Sequence, residues 1–253
     1  MNQEMAAPKA LTIIGPGRVG TSIAGAAAAA GIQVELAGRD FESMDLASEA
    51  VLICVPDEQI AGVADTIAGL DTLPLLTGHT SGATTLEPLS RCQTAGAFSL
   101  HPLQTVPDRE TDLTGCPCAI AGSTAEATGS AGSLAGRLDM EPFEIAEEDR
   151  ALYHAAASIA ANFLVTLEQA AAGLLGDIGV ENPRQALLPL VRRSLENWAE
   201  RGDSALTGPI VRGDEQTVER HRSALADARP DLLDLYDSMA ERTRVISREQ
   251  VVR

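Results

Sequence analysis

Three histidines stand where their side chains could meet a substrate. His79 and His101 follow two predicted β-strands, in the strings GHTSG and SLHPLQT, and the ends of neighbouring parallel strands open at one edge of a sheet. His154 begins a polar row on a predicted helix, because Ser158 and Asn162 follow at intervals of four residues and share its face. Imidazoles exchange protons near neutral pH, and hydroxyl and amide groups donate hydrogen bonds to developing charge. These residue types favour acid–base chemistry on a small polar substrate.

Three further side chains are candidates for holding that substrate. Ser81 and Gln104 follow shortly after the two strand-end histidines. Arg212 lies in the turn-rich string LTGPIVRGD and could hold a carboxylate through two hydrogen bonds. Each candidate also has a structural alternative. A histidine at a strand end often has only a structural role, and the polar row on the helix could form hydrogen bonds to neighbouring loops. Arg212 could form a salt bridge with Asp214 or Glu215. We favour the interpretation in which the polar row on the helix lines a cavity. For Arg212 both alternatives stay open.

A glycine-rich turn, GPGRVG, separates the first predicted strand from an alanine-rich helix. This G-x-G-x-x-G spacing, between a strand and a helix, is typical of dinucleotide binding. The first glycine permits the tight turn, the second lets the backbone approach a pyrophosphate, and the third lets helix and strand pack closely. The helix start adds free N–H groups and partial positive charge. The cofactor-binding residues predicted here are Gly15, Gly17, Arg18, Val19 and Gly20.

The residues after the second predicted strand bear on which dinucleotide binds. An acidic residue that holds a ribose 2′-hydroxyl is expected about 20 residues past the glycines, and there the sequence has Arg39 followed by Asp40. A guanidinium matches a 2′-phosphate in charge and geometry, so Arg39 favours NADP over NAD. The adjacent Asp40 keeps NAD open, and a solvated surface arginine is the structural alternative.

The third predicted strand ends in Val55-Pro56-Asp57, at the edge where open parallel sheets bind ligands. We expect the backbone of Val55 and Pro56 to contact the cofactor. Asp57 is interpreted as a cap of the following helix, because a carboxylate accepts hydrogen bonds from the free N–H groups there.

The first half of the chain alternates predicted strands and helices. Strands are predicted at 10–14, 33–37, 50–55, 73–77, 95–99, 116–121 and 140–145. Helices are predicted at 18–30, 58–69, 83–90 and 124–138. Continuous apolar runs such as AVLICV are typical of parallel strands buried on both faces. The pattern predicts an α/β domain with a doubly wound parallel sheet of Rossmann type.

The second half is predicted to contain helices only. They run from 147 to 178, from 183 to 202, from a cap at Asp214 and from Pro230. Gly179 provides a stop for the first of them, and proline at the first position of a helix is favourable. We therefore predict an NADP-binding domain over residues 1–147 and an all-α domain for substrate binding and dimerisation over 148–253.

Composition argues against several classes of function. The 253 residues carry a net charge of −17, whereas nucleic-acid binding requires a basic surface. The four cysteines lack the spacing of a zinc site, so no metal is expected. The longest weakly polar run, from Ser22 to Ile32, is too short to span a bilayer, and no signal-peptide pattern is present. We expect a soluble, cytoplasmic protein that binds a small molecule and neither nucleic acid nor membrane.

Five strings in this order resemble one family. GPGRVG, HTSG, SLHPLQT, YHAAASIAANF and LTGPIVRGD extend from residue 15 to residue 214. They resemble the two-domain proteins that join a Rossmann-like domain to a C-terminal domain of unknown function, in the 6-phosphogluconate dehydrogenase-like superfamily, near ketopantoate reductase and pyrroline-5-carboxylate reductase. The resemblance implies an NADP-dependent oxidoreductase that forms a homodimer through its helical domain. Some members look like alternative ketopantoate reductases.

The chain departs from the superfamily at one position. Hydroxyacid dehydrogenases of the superfamily have a lysine four residues before the helix asparagine; Asn162 matches the asparagine, but Ser158 stands at the lysine position. Lys9 is the only lysine in the chain. His154, one turn earlier, is therefore our candidate for the proton donor. Ser158 and Asn162 are candidates for stabilising the negative charge that grows on the substrate oxygen.

The leading hypothesis is a reductase that transfers a hydride from NADPH to a small 2-oxo acid, such as ketopantoate, or to an imine. One alternative is a non-catalytic NADP-binding sensor or scaffold, in which the helix stripe bonds only within the protein. Another is an NADP–deazaflavin oxidoreductase. NADPH oxidation with a panel of 2-oxo acids and imines separates the first from the second, and fluorescence with a deazaflavin tests the third.

Overall fold

The computed structural model describes residues 7–44, 46 and 48–252. The chain divides into two compact units, Met1–Ala161 and Asn162–Arg253. This division lies inside a long helix, further along the chain than the predicted boundary at 147. The first turns of that helix belong to the first unit because Arg150 and Tyr153 bond to side chains of the sheet.

The first unit is a seven-stranded sheet with its helices on both faces. The strands are β1 (Ala10–Ile14), β2 (Gln33–Ala37), β3 (Ala50–Ile53), β4 (Leu76–His79), β5 (Gly96–Pro102), β6 (Pro117–Gly122) and β7 (Glu141–Glu144). The helices packed on it are α1 (Arg18–Ala29), α2 (Asp57–Ala68) and α3 (Ala125–Arg137). The strand order is β2-β1-β3-β4-β5-β6-β7. The order reverses between β1 and β3, which is where doubly wound sheets bind their ligands.

Two apolar cores lie on opposite faces of this sheet, because successive strand residues point to opposite sides. Leu11 and Ile13 of β1 belong to the core that contains α1 and α3, whereas Ile14 belongs to the core with α2. Leu52 and Ile53 of β3 divide between the cores in the same way. Burial on both faces explains the continuous apolar runs in the sequence. The predicted α/β doubly wound Rossmann domain, followed by helices, is confirmed.

Two elements differ from the sequence prediction. The sheet is not wholly parallel, because β6 pairs antiparallel with β5 and β7 runs parallel to β6. In place of the helix predicted at 83–90, the chain forms a 3₁₀ segment, Glu87–Cys92. Ser81 Oγ accepts hydrogen bonds from the N–H groups of Ala83 and Thr84. This side chain closes a turn where the helix was expected to begin.

The long helix contains a change of winding. Its first part, α4 (Arg150–Ser158), leads into a π-helical segment, Ile159–Phe163, before α5 (Leu164–Asp177). The sequence predicts an unbroken α-helix. The wider turn moves Asn162 out of the four-residue register that it was expected to share with His154. Such segments are frequent at functional sites.

The stretch Glu147–Asp177 is the one helix in the described part of the chain that is long and apolar enough to cross a membrane. Only 6% of its most apolar window is buried. Length and composition alone do not establish a membrane span, and the sheet contacts of Arg150 and Tyr153 give its first turns a role in the fold.

The described residues of the second unit form helices joined by turns, with no strand. After α5 come α6 (Pro183–Arg201), α7 (Glu215–Ala228) and α8 (Leu233–Val252). Three sequence signals for helix ends are confirmed. Gly179 follows α5 with a φ of 83°, Pro183 begins α6, and the Asp214 carboxylate accepts a hydrogen bond of 3.1 Å from the Thr217 N–H at the start of α7.

Candidate functional site

The glycine-rich turn has the geometry that a dinucleotide phosphate needs. Gly15 has a φ of 111°, and a Cβ there would lie 2.5 Å from the carbonyl oxygen of Cys54. A Cβ on Gly20 would lie 2.2 Å from the carbonyl oxygen of Gly15. Both positions therefore exclude a side chain. Gly17 differs, because its Cβ would meet no atom within 4 Å. The space before the second glycine is open to a ligand.

The start of α1 offers unpaired donors and positive charge beside this space. No described side chain caps the helix, and its first turn contains no acidic residue, so its N–H groups remain available to an anion. The Gly15 N–H donates to the Ala37 carbonyl at 3.0 Å, which joins the turn to the end of β2. Arg39 follows that end and is exposed, as is Arg18; in the described ranges neither forms an ion pair. These residues fit a pyrophosphate and a 2′-phosphate, which are the anionic groups of NADP.

The end of β3 lies against the same turn. Val55 is half-buried and Pro56 is exposed, and Val55 Cγ1 lies 3.1 Å from the position of a Cβ on Gly15. Asp57 does not cap α2, so that interpretation was wrong. Its carboxylate instead accepts a hydrogen bond of 2.8 Å from Ser81 Oγ, because the turn after β4 brings this hydroxyl within reach.

Two imidazoles meet around a glycine. His101, in β5, and His154, on α4, have ring centroids 6.1 Å apart at an interplanar angle of 74°. A Cβ on Gly82 would lie 2.9 Å from both His101 Nε2 and His154 Nδ1. Tyr153 Oη lies 2.6 Å from His101 Nδ1. The structure thus brings together two residues predicted from the sequence, here called the histidine pair, and explains the glycine of the HTSG string.

Burial controls the protonation of this group. It lowers the pKa of His101 to about 4, with repulsion from His154 and Arg150 acting in the same direction. It raises the pKa of Tyr153 to about 12. His101 is therefore neutral and Tyr153 protonated at pH 7. His154 Nδ1 is fully buried and has no hydrogen-bond partner among the described residues. The Nε2 atoms of His101 and His154 are not buried in this way. Each Nε2 atom therefore keeps some contact with solvent.

His79 does not face a substrate, contrary to the prediction. Its ring is fully buried, and Nε2 lies 3.1 Å from the carbonyl oxygen of Thr85. The residue does stand at the end of β4, as expected, but the following turn folds over it. His79 therefore serves the fold.

A buried arginine that was not predicted from the sequence lies at the start of α4. Arg150 is 1% exposed, its Nε lies 2.5 Å from a carboxylate oxygen of Glu147, and its Nη2 donates to Ser99 Oγ in β5. The other oxygen of Glu147 accepts a hydrogen bond of 2.6 Å from the Leu86 N–H. This network, here called the Arg150 network, joins the start of α4 to the sheet and to the turn after β4. The sequence signal that could have indicated this network is the spacing of Glu147 and Arg150, three residues apart at the start of an apolar helix.

Two predicted substrate residues hold loops instead. Ser81 is buried, and its hydroxyl is engaged by Asp57 and by the N–H groups of the following turn. Gln104 is exposed, and its amide donates to the Asp112 carbonyl at 2.8 Å. The hydroxyl of Ser81 is fully engaged within the protein, whereas Gln104 keeps a second N–H and its carbonyl oxygen, so its substrate role stays a prediction.

The side chains of three other predicted residues have no hydrogen-bond or ion-pair partner among the described residues. Ser158 is half-buried on α4, and Asn162 is exposed in the π-helical segment; neither side chain has a hydrogen-bond partner among the described residues. Arg212 is exposed in the second unit. Within the described ranges it forms no ion pair with Asp214 or Glu215, whose carboxylates bond to other residues. The roles assigned to these three residues from the sequence stay predictions.

Acid is expected to destabilise the first unit through its buried histidines. Burial lowers the pKa of both His79 and His101 from 6.5 to about 4. Between these values the unfolded chain binds protons that the folded chain does not. The free energy of unfolding therefore keeps its full value above about pH 6.5 and decreases as the pH falls towards about 4. The total decrease is on the order of 3 kcal/mol for each histidine.

Urea unfolding at successive pH values from about 7 to about 4.5 measures this slope. His79→Gln is expected to flatten it, whereas His221→Gln, which removes an exposed histidine, leaves it unchanged. A slope that is equal in His79→Gln and in the unmodified protein would contradict the expectation.

Comparison with known proteins agrees with this architecture. Residues 116–243 match the family described as a domain of unknown function, DUF2520. No curated protein matches the sequence. The chain is similar in structure to a candidate NADP oxidoreductase from Bacteroides fragilis, with 22% identity, a TM-score of 0.80 and coverage of 96% of this chain and 99% of that chain.

Two further solved structures share the fold. A protein from Thermotoga maritima has 22% identity and a TM-score of 0.77, with coverage of 95% of this chain and 99% of that chain. The pyrroline carboxylate reductase of Plasmodium falciparum, solved with NADP bound, has 12% identity and a TM-score of 0.62, with coverage of 97% of this chain and 100% of that chain. At these identities the likeness shows the fold alone. The family match covers half of the chain, so the chain belongs to the DUF2520 family.

Proposed function

We propose that the protein is an NADP-dependent oxidoreductase that reduces a small 2-oxo acid, such as ketopantoate, or an imine. One observation carries the proposal: an open glycine turn before an uncapped helix, with the exposed, unpaired Arg39 after β2. The NADP-bound pyrroline carboxylate reductase, whose name denotes a cyclic imine that bears a carboxylate, has the same fold. NADP would be held by the turn, by Arg18 and by Arg39, and when bound in reduced form it would supply a hydride.

The protein's own side chains would supply the proton and the stabilisation of charge. His154 presents an accessible Nε2 beside a neutral His101, and its protonated form would donate a proton to the substrate oxygen or nitrogen. Ser158 lies one turn further along the same helix, where its hydroxyl would donate to developing negative charge. The roles of Asn162 in charge stabilisation and of Arg212 in holding a carboxylate follow from the sequence.

Loss of NADPH absorbance with a panel of 2-oxo acids and cyclic imines tests this function. Turnover of at least one compound of either class is expected. Binding of NADPH without oxidation across the panel would favour a sensor or scaffold. Oxidation by a deazaflavin, but by no carbonyl or imine compound, would favour the NADP–deazaflavin alternative.

Arg39→Gln is expected to change coenzyme preference. A charge-assisted hydrogen bond to phosphate contributes about 1.5–3 kcal/mol, so the affinity for NADPH should fall roughly 10- to 100-fold, while the affinity for NADH is unchanged. Fluorescence titration of both coenzymes measures this difference. Arg193→Gln, at an exposed ion pair of α6, is the matched control. An equal loss of affinity for NADPH and NADH would show that Arg39 does not meet the 2′-phosphate.

We also propose that the protein acts as a cytoplasmic homodimer formed through its second unit. Large apolar side chains there are unusually exposed, with Ile178 at 76%, Trp198 at 66% and Leu190 at 65%. Burying such side chains against a second copy would remove them from water. Sedimentation at twice the chain mass of 26.4 kDa would support the dimer, and sedimentation as a monomer would oppose it.

A further inference from the structure

The two rings of the histidine pair have different surroundings at Nδ1. Nδ1 of His101 has a partner, Tyr153 Oη at 2.6 Å. The rings of His101 and Tyr153 pack edge to face, at an interplanar angle of 89° and with centroids 5.5 Å apart. Nδ1 of His154 is buried beside Gly82 and has no partner among the described residues. Two imidazoles in different environments are suited to different tasks.

We propose that Tyr153 fixes His101 in the tautomer that carries its proton on Nε2, and that this N–H donates a hydrogen bond to the substrate oxygen while His154 supplies the proton. The assignment of His101 as a catalytic residue, with Tyr153 as its positioning residue, rests on the proposed reductase function. The placement of the proton on His101 does not.

The hydrogen bond itself indicates which atom donates. A neutral imidazole has one N–H and one acceptor nitrogen, and a phenol can donate or accept. A phenol is a stronger acid than a neutral imidazole, and an imidazole nitrogen is a stronger base than a phenol oxygen. The separation of 2.6 Å is also shorter than most N–H···O bonds and lies in the range of O–H donors. Tyr153 therefore donates to Nδ1, which leaves the proton of His101 on Nε2.

Packing keeps the ring of His101 in this orientation. A Cβ on Gly82 would lie 2.9 Å from His101 Nε2 and 3.0 Å from its Cε1, so the glycine backbone lies against this edge of the ring. Tyr153 and His154 are neighbours on α4, whose start is fastened to β5 by the Arg150 network. The chain thus holds the phenol on one side of His101 and the glycine on the other.

The two imidazoles divide the work at a carbonyl group. The hydride that NADPH would supply, leaving NADP⁺, adds to the carbonyl carbon; the π electrons move to oxygen, and that oxygen takes a proton from protonated His154, which becomes neutral. His101 keeps its own proton throughout and stabilises the charge on oxygen through the Nε2–H. A neutral imidazole suits this task, because it donates a hydrogen bond without giving up a proton.

Imidazole ¹⁵N NMR at pH 7 tests the proton placement, with His101→Gln identifying the signals. We expect a protonated Nε2 and an unprotonated Nδ1 in the unmodified protein, and averaged signals for the two nitrogens in Tyr153→Phe. Tyr236→Phe is the matched control, because Tyr236 Oη bonds to His221 Nδ1 at 2.9 Å in the second unit; it should leave the His101 signals unchanged. A proton on Nδ1, or an unchanged spectrum in Tyr153→Phe, would overturn the proposal.

Kinetics with the same variants test the catalytic role. Tyr153→Phe is expected to lower kcat about tenfold with NADPH affinity unchanged, while Tyr236→Phe retains full activity. An unchanged kcat in Tyr153→Phe would overturn the role of the hydrogen bond. If the unmodified protein reduces no compound, the proposed function and the donor role fall together, whereas the NMR result still decides the tautomer.

Discussion

Replacing His154 with glutamine is expected to lower kcat by roughly 10²- to 10⁴-fold, the usual contribution of a general acid. Its Nε2 is the accessible atom of a ring whose other nitrogen is buried against Gly82. Glutamine is polar and of similar length, but it cannot give up a proton. The affinity for NADPH should persist, because the glycine turn and Arg39 are unaltered. Steady-state rates and fluorescence titration of NADPH measure the two quantities separately.

A matched control is His221→Gln, which removes a histidine of the second unit that is bonded to Tyr236. Its kcat should equal that of the unmodified protein. If His154→Gln also turns over at the full rate, His154 is not the acid. If it loses NADPH binding in the same proportion as kcat, the residue acts on the coenzyme site instead.

Replacing Arg150 with methionine is expected to destabilise the protein by about 1–3 kcal/mol, because the buried Ser99 hydroxyl loses its hydrogen-bond donor and Glu147, whose side chain is 37% exposed, loses its charge partner. Methionine fills part of the volume but makes none of the bonds to Glu147 and Ser99. Glu147 would keep its bond to the Leu86 N–H but lose its charge partner. Urea unfolding followed by circular dichroism measures the change.

The control for this variant is Arg193→Met. Arg193 pairs with Glu196 at 3.0 Å, but its side chain is 72% exposed, and exposed pairs contribute about 1 kcal/mol or less. The difference between the two variants measures the contribution of the buried contacts of Arg150. Equal midpoints for Arg150→Met and Arg193→Met would show that the Arg150 network does not hold α4 to the sheet.

Local signals account for what the sequence predicts well. The glycine spacing imposes its turn because Gly15 and Gly20 meet backbone atoms at distances that no side chain permits. The apolar run 50–55 contains β3, since a strand buried on both faces needs apolar residues at every position. Helix ends at Asp214 and Pro183 follow from bonding within one or two turns. Each of these features is decided by residues that are close in the chain.

Long-range contacts account for what the sequence does not predict. His79 and His101 both stand at strand ends, yet one ring is sealed by the Thr85 carbonyl and the other meets Tyr153, 52 residues away. Arg150 becomes a buried anchor only because Ser99 and Glu147 converge on it. The antiparallel pairing of β6 with β5 is likewise a contact between separate segments of the chain. The pattern of apolar and polar residues within one segment does not predict contacts between residues that are far apart in the sequence.

Isothermal titration calorimetry of NADPH with the unmodified protein and with Gly17→Asp tests the dinucleotide site most directly. We expect one NADPH to bind per chain in the unmodified protein. In Gly17→Asp we expect loss of binding without loss of fold, because the new carboxylate enters open space that the phosphates require. Absence of heat with both NADPH and NADH in the unmodified protein, or equal binding by Gly17→Asp, would show that no dinucleotide binds at this turn.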